Sequence, residues 1–316
     1  MMTMLNATTK MKRKRKWTIL RFVKIFFILA ISGAIYSLGV AISENIQVNR
    51  AIEDFKARAQ GVYTEEVVTI RGVEQTRRYY SVSRETSYEL SDTRSVFQSI
   101  DRLALGQKGD IFVSQDSPFP HVPIIHQFIS YYFGGHAAIH TGEGTFVEAV
   151  GFPDSDESLW DIMTHPGNKP HDYSTVTNVS QGNYWLDPTY RNTADNAYPY
   201  YGRNYRKDFV GLRVRNVTSD QIDGAVNYAM DKVGTALYNF WFFLDMRYKY
   251  YCTDLVSRAY QDVMITSHKQ RLYSKALNDD GFITSVNDMI LSKDTYIIFY
   301  VEIKDNITHI YHLEDM

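Results

Sequence analysis

The sequence predicts an α+β domain behind an N-terminal transmembrane helix. Three observations predict it. A basic block runs directly into an uncharged apolar stretch, Ile25 to Ile42. Short runs rich in Val, Ile, Phe and Tyr recur between residues 109 and 214 and again at 295–301. Between and after them, apolar residues repeat at helical spacing over 222–233 and 252–260. A sheet of several strands with two or three helices packed on it accommodates all of these.

Residues 1–24 carry eight Lys/Arg and no acid, so the rest of the chain stands at −10 against an overall −2. This start reads as a cytoplasmic basic tail. An acidic remainder argues against nucleic acid as a partner. The 18 residues 25–42 are near the lower length limit for a spanning helix. They exceed the roughly 7–15 residues of a signal-peptide core, which favours a signal anchor. The rival is a cleaved signal ending at Gly39-Val40-Ala41 or Ala41-Ile42-Ser43. Basic flanks stay in the cytoplasm. The expected location is therefore the cell membrane, single-pass, with the C-terminal domain extracytoplasmic, or secreted if the signal is cut.

Residues 43–60 continue the helix as a stalk. Residues 63–82 are Val-, Thr- and Tyr-rich around Arg71-Gly72 and predict a hairpin. Residues 87–105 read as a helix with Val96, Phe97, Ile100, Leu103 and Leu105 apolar. These elements form a stalk, hairpin and helix region over 43–104, ahead of a domain over 105–316.

In that domain Gly109-Asp110 is a turn leading into a strand at 111–114. Further strands follow at 135–140 and 144–150. Residues 152–205 are rich in Pro, Gly, Asn, Asp and Tyr without a steady period, and read as a long irregular insertion. Phe209–Val214 is a strand. Ser219 and Asp220 offer a helix N-cap, and Gly234 a helix end. The helix at Cys252 and the strand 295–301 complete the pattern.

Cys252 is the only cysteine, so it forms no internal disulfide. It is either an inert core residue or a nucleophile. It opens a helical segment, where the dipole and free backbone N–H groups favour a thiolate. Thiol acyl transfer also needs an imidazole and a polar group that orients it. Of nine histidines, His136 stands out: it follows Gly134-Gly135 and opens an apolar strand. Glu148 lies on the next strand between Val147 and Ala149, where an unpaired carboxylate is costly. If the two strands pair, Glu148 lies beside His136. Tyr251, Thr253 and Asp254 stand next to the nucleophile as candidate substrate or oxyanion contacts. Asp254 is alternatively a helix cap, and Tyr250 and Tyr251 are alternatively plain packing.

A metal site is not expected. His136 and His140 are four apart on a strand, about 13 Å from one another. His121 and His126 have a proline between them, and no Cys pair exists for zinc. No cofactor is implied. Tyr184, Trp185, Tyr190, Tyr198, Tyr200, Tyr201 and Tyr205 form either a binding wall for sugar or lipid or a packed lid.

The ordered set Gly109-Asp110-Ile111, Gly135-His136-Ala137-Ala138-Ile139, Phe146-Val147-Glu148-Ala149 and Tyr251-Cys252-Thr253-Asp254-Leu255-Val256 resembles the permuted NlpC-type papain-like cysteine peptidase/amidase family, in its YiiX-like branch. The resemblance covers roughly residues 105–301. It implies a circularly permuted papain-like domain, an antiparallel sheet with packed helices, with the histidine strand ahead of the cysteine helix. It also implies Cys252 as nucleophile, His136 as general base and Glu148 as the orienting acid. The 152–205 insertion is longer and more aromatic than the family pattern.

The expected function is a membrane-anchored extracytoplasmic cysteine hydrolase, an amidase or peptidase. The resemblance implies cell-wall peptide amides of peptidoglycan as substrate. The alternatives are a lipid acyltransferase or lipase on the same scaffold, and a catalytically inactive surface binding module.

Overall fold

A computed structural model describes residues 2–117, 123–180, 182–190, 207–242, 244, 246–264, 277 and 283–316. The chain falls into two units, residues 1–46 and residues 47–316. Helix α1 runs over Met2–Ala57. Its stretch from Leu20 contains an apolar window of mean hydropathy 2.3, long and apolar enough to cross a membrane.

The second unit is mixed α+β, built on a large and mostly antiparallel sheet. Its elements in chain order are β1 (Ala59–Ile70), β2 (Val73–Val82), α2 (Ser87–Ser91), β3 (Ile111–Ser114), α3 (Pro123–Tyr132), β4 (His136–His140), β5 (Phe146–Glu148), α4 (Leu159–Thr164), β6 (Asn178–Val179), β7 (Asp208–Val214), α5 (Ser219–Met230), β8 (Leu237–Tyr238), β9 (Lys249–Tyr250), α6 (Cys252–Met264), α7 (Val286–Leu291), β10 (Thr295–Lys304) and β11 (Ile307–Leu313). Nine strands form one sheet in the order β1-β2-β11-β10-β7-β3-β4-β5-β6. Within this sheet β2 and β11 pair in parallel and the other described pairs are antiparallel; β8 and β9 form a separate parallel pair. The hairpin at 59–82 therefore belongs to the same sheet as the rest of the unit.

Local chemistry explains the turns. Arg71 and Gly72 both take positive φ, +48° and +82°, which suits a two-residue turn between twisted antiparallel strands. Asp305 and Asn306 do the same between β10 and β11, at +53° and +60°. This last hairpin strand is absent from the sequence reading, as are α3, α4, α7 and the small β8–β9 pair.

The core gathers around Phe112. Its ring lies 4.7 Å from Phe146, 4.8 Å from Phe299, 5.6 Å from Trp185 and 5.9 Å from Phe209. Beside this cluster, Arg213 places its fork on Asp110, Nε to Oδ1 and Nη2 to Oδ2, each at 2.8 Å. Asp110 also accepts from Gln107 N at 2.7 Å, so it closes the turn before β3 as well as pairing the arginine.

The helix expected over 87–105 is a correction: helix α2 stops at Ser91. Thr86 and Glu89 form a capping box at its start. Asp92 then takes extended backbone, and its carboxylate binds Arg94, Arg213 and Tyr296. Val96, Phe97 and Leu105 are buried through an irregular path with a Phe97–Leu105 bridge, while Leu103 is exposed. Ile100, counted as a core position, is fully exposed.

Helix α5 is capped by Thr218, not by Ser219 or Asp220. Thr218 Oγ1 accepts from Gln221 N at 3.3 Å, and the Gln221 side chain accepts from Thr218 N at 2.9 Å. The helix ends at Met230, with Gly234 at φ +70° in the turns beyond. The 152–205 segment is not wholly irregular. It contributes α4 and also β6, which pairs with β5 at the end of the sheet.

Candidate active site

Three elements meet at the site. Strands β4 and β5 pair antiparallel, with Ile139 opposite Val147, and this brings His136 and Glu148 to one end of the hairpin. Helix α6 packs on β4 and α5. Its Leu255, Val256 and Ala259 are fully buried, and Cys252 is its first residue. The amphipathic spacing thus anchors the helix and fixes where its thiol sits.

The double glycine before His136 has a steric cause. A Cβ on Gly135 would lie 1.6 Å from the carbonyl oxygen of Asp116. Gly134 has φ +80°, and a Cβ there would meet Val286 at 2.4 Å. Only glycines let the chain leave α3 and enter β4 at this position.

His136 Nε2 lies 2.7 Å from Glu148 Oε2. Cys252 lines the same cavity as the ring, and its interaction with the imidazole helps to raise the ring's pKa. With Nε2 committed to the carboxylate, Nδ1 is the nitrogen left for the thiol. Burial alone would lower the His136 pKa. The interactions with Cys252 and Glu148, with the charge of Glu148, outweigh it and raise the value to about 9. The ring therefore holds a proton through the neutral range.

Two residues of the insertion complete this line. Tyr184 OH donates to Glu148 Oε2 at 2.6 Å. Trp185 is fully buried and stacks on the His136 ring, with centroids 5.9 Å apart and planes at 18°. Both are buried, and Tyr184 also lines the cavity beside Cys252. Tyr190 is half-buried, and Tyr198, Tyr200, Tyr201 and Tyr205 lie outside the described residues.

Cys252 opens onto a cavity of about 470 Å³ that also reaches His136, Glu148, Tyr251, Thr253 and Tyr238. Tyr251 OH accepts from Thr284 N at 3.1 Å, and Thr253 Oγ1 donates to Thr284 O at 2.5 Å. These bonds hold the 284 segment against the start of α6. Tyr238, on the short strand β8, also lines the cavity. Burial first, then the neighbouring Cys252 and Tyr251, raise its pKa well above the usual value, so it is a neutral O–H donor beside the sulfur.

Asp254 is not brought to the cavity. It is buried, and its Oδ1 accepts from Arg258 Nε at 2.7 Å, a pair one helical turn apart. Tyr250 is likewise elsewhere, with its hydroxyl against Tyr228 OH and Arg247 O.

Among the described residues the other histidines are not on this line. His140 is fully buried beside Phe112 and Phe146, and its Nδ1 accepts from Gly142 N at 3.0 Å. Burial pushes its pKa down to about 4, so it stays neutral. His121 and His268 lie outside the described residues. Among the described residues no cluster of three or more His, Cys, Asp or Glu is arranged to hold a metal ion.

Comparisons with family models, curated proteins and solved structures returned no match.

Proposed function

We propose that this protein is a thiol hydrolase working through a Cys252–His136–Glu148 triad on a permuted papain-like, NlpC-type scaffold of the YiiX-like branch. The single observation that carries the reading is the 2.7 Å contact of His136 with Glu148 on the wall of the cavity that Cys252 also lines. The order of elements supports it too, with the histidine strand before the cysteine helix.

The chemistry follows from the geometry. The Cys252 sulfur, its proton passed to His136, attacks the carbonyl carbon of a carboxylic acid derivative. The negative oxygen that forms is stabilised by the Cys252 backbone N–H at the start of α6, with Tyr238 OH as a second donor. The intermediate collapses by breaking the bond to the leaving group, which takes the proton from His136. A thioester remains on Cys252. His136, now neutral, removes a proton from water, which attacks the thioester carbon. The carboxylic acid departs and the thiol–imidazole pair is restored. Glu148 holds the ring and offsets its charge throughout.

The apolar window of α1 and the basic residues ahead of it support a single-pass anchor with the tail in the cytoplasm and the catalytic domain on the far side. The test of the reaction is direct. Cys252→Ala should abolish hydrolysis of para-nitrophenyl acetate while its circular dichroism stays unchanged. Full activity in that variant would end the proposal, leaving a binding module as the better reading.

A further inference from the structure

The walls of the cavity carry information about what the thiol acylates itself with. From its mouth inward they are aromatic and continuous: Phe128 lies 5.7 Å from Phe133, Phe133 5.3 Å from Phe242, and Phe242 5.4 Å from Tyr251. Tyr238 and Phe240, 4.8 Å apart, line the same space. Among its described lining residues there is no Lys, Arg or Asp. The only carboxylate is Glu148, which is occupied by His136 and Tyr184.

A cell-wall peptide brings carboxylates and ammonium groups to the scissile bond. This cavity offers them no counter-charge, and desolvating an unpaired charge is expensive. An alkyl chain, by contrast, gains from every methylene that leaves water. The entrance continues the pattern. Phe128 on α3, which lines the cavity, stands 54 % exposed. An apolar mouth of this kind suits a substrate that arrives from a lipid surface.

We infer that the aromatic cavity beside Cys252 is an acyl-chain pocket and that the substrate is an ester or amide of a long-chain fatty acid. This rests on the thiol-hydrolase reading and names its substrate class. The acyl carbon forms the thioester with Cys252. The alcohol or amine of the lipid leaves with the proton from His136. Water then releases the fatty acid.

The experiment uses the full chain in amphipol with para-nitrophenyl esters from acetyl to dodecanoyl, each kept below its aggregation limit. The expected kcat/KM rises about fourfold per added methylene until the chain fills the pocket. Phe128→Asp, at an exposed position, is expected to lower the dodecanoyl-to-acetyl ratio at least tenfold. Binding of dodecanoic acid to Cys252→Ala, measured by calorimetry, tests the pocket without catalysis, and binding much tighter than that of acetate is expected. A flat or falling ester series overturns the acyl pocket and leaves the thiol hydrolase standing. Hydrolysis of a disaccharide-peptide in preference to every ester also overturns it, in favour of cell-wall substrates. Tight dodecanoate binding with no hydrolysis of any ester supports the pocket and refutes the hydrolase.

Discussion

Glu148 Oε2 lies 2.7 Å from His136 Nε2, and the two residues come from neighbouring antiparallel strands. The contact gives the ring a fixed orientation and leaves its other nitrogen for Cys252. Glu148→Gln keeps the size of the side chain and removes its charge. The expected loss in kcat is about 10²- to 10⁴-fold, with little change in thermal stability. Steady-state kinetics against a calorimetric melt separates the two effects.

The protonation of His136 gives a second prediction. Its pKa is raised to about 9, so the acid that protonates the leaving group is present at neutral pH and disappears above that value. Rate should fall as pH rises through about 9. NMR of the His136 ring should show the same midpoint, displaced downward in Glu148→Gln. The stability linkage has the same sign. An unfolded histidine titrates near 6.5, so the contribution is fully present below about 6.5 and is lost as pH rises through about 9.

Tyr184 acts through Glu148. Tyr184→Phe removes the hydroxyl that donates to Oε2 and leaves the ring in place. A hydrogen bond to a charged group contributes about 1.5–3 kcal/mol, so a drop in kcat of about tenfold or more is expected. KM should change little, and the His136 midpoint should shift. An unchanged ring titration would reduce Tyr184 to a packing residue.

Asp92 gives an acid-side prediction away from the site. Burial alone would raise its pKa, but the Arg94 hydrogen bond, the Arg213 charge and the Tyr296 hydroxyl hold it well below the usual carboxylate range. Its contribution to stability is present above about pH 4, near the unfolded value, and is lost as pH falls below it. Asp92→Asn should flatten the acid side of a denaturant-midpoint profile. Retention of the wild-type slope would assign that slope to other carboxylates.

Gly135→Ala tests the steric argument at the entry to β4. The added methyl meets a backbone oxygen at 1.6 Å, so the strand start must move and carry His136 with it. A loss of about 1–3 kcal/mol and a lower kcat are expected together, read from urea melts and kinetics.

Much of this site was legible because its chemistry is carried by unusual residues in unusual places. A lone cysteine opening an amphipathic helix, a histidine after two glycines and a carboxylate between apolar neighbours are local signals. The strand pairing that joins them needed only a hairpin. Tyr184 and Trp185 were not legible as neighbours of the triad. Their segment has no period, and their position depends on β6 pairing with β5, where Asn178 lies opposite Glu148. The place of Tyr238 on the cavity wall was not legible either, because a two-residue strand has no period to tell which way its side chains face. The expected 87–105 helix failed because Asp92 binds two arginines and a tyrosine in tertiary contacts that apolar spacing does not report. Strand β11 had a readable signal in Asp305-Asn306, a turn pair followed by alternating residues.

The central claim is that Cys252 becomes acylated with His136 as its proton partner. Intact-mass spectrometry during a pre-steady-state burst with para-nitrophenyl dodecanoate tests it most directly. The expected result is one acyl group per chain, mapped to the peptide containing Cys252, with the burst lost in His136→Ala. A wild-type burst with no acyl group on Cys252, or an equal burst in His136→Ala, would contradict it.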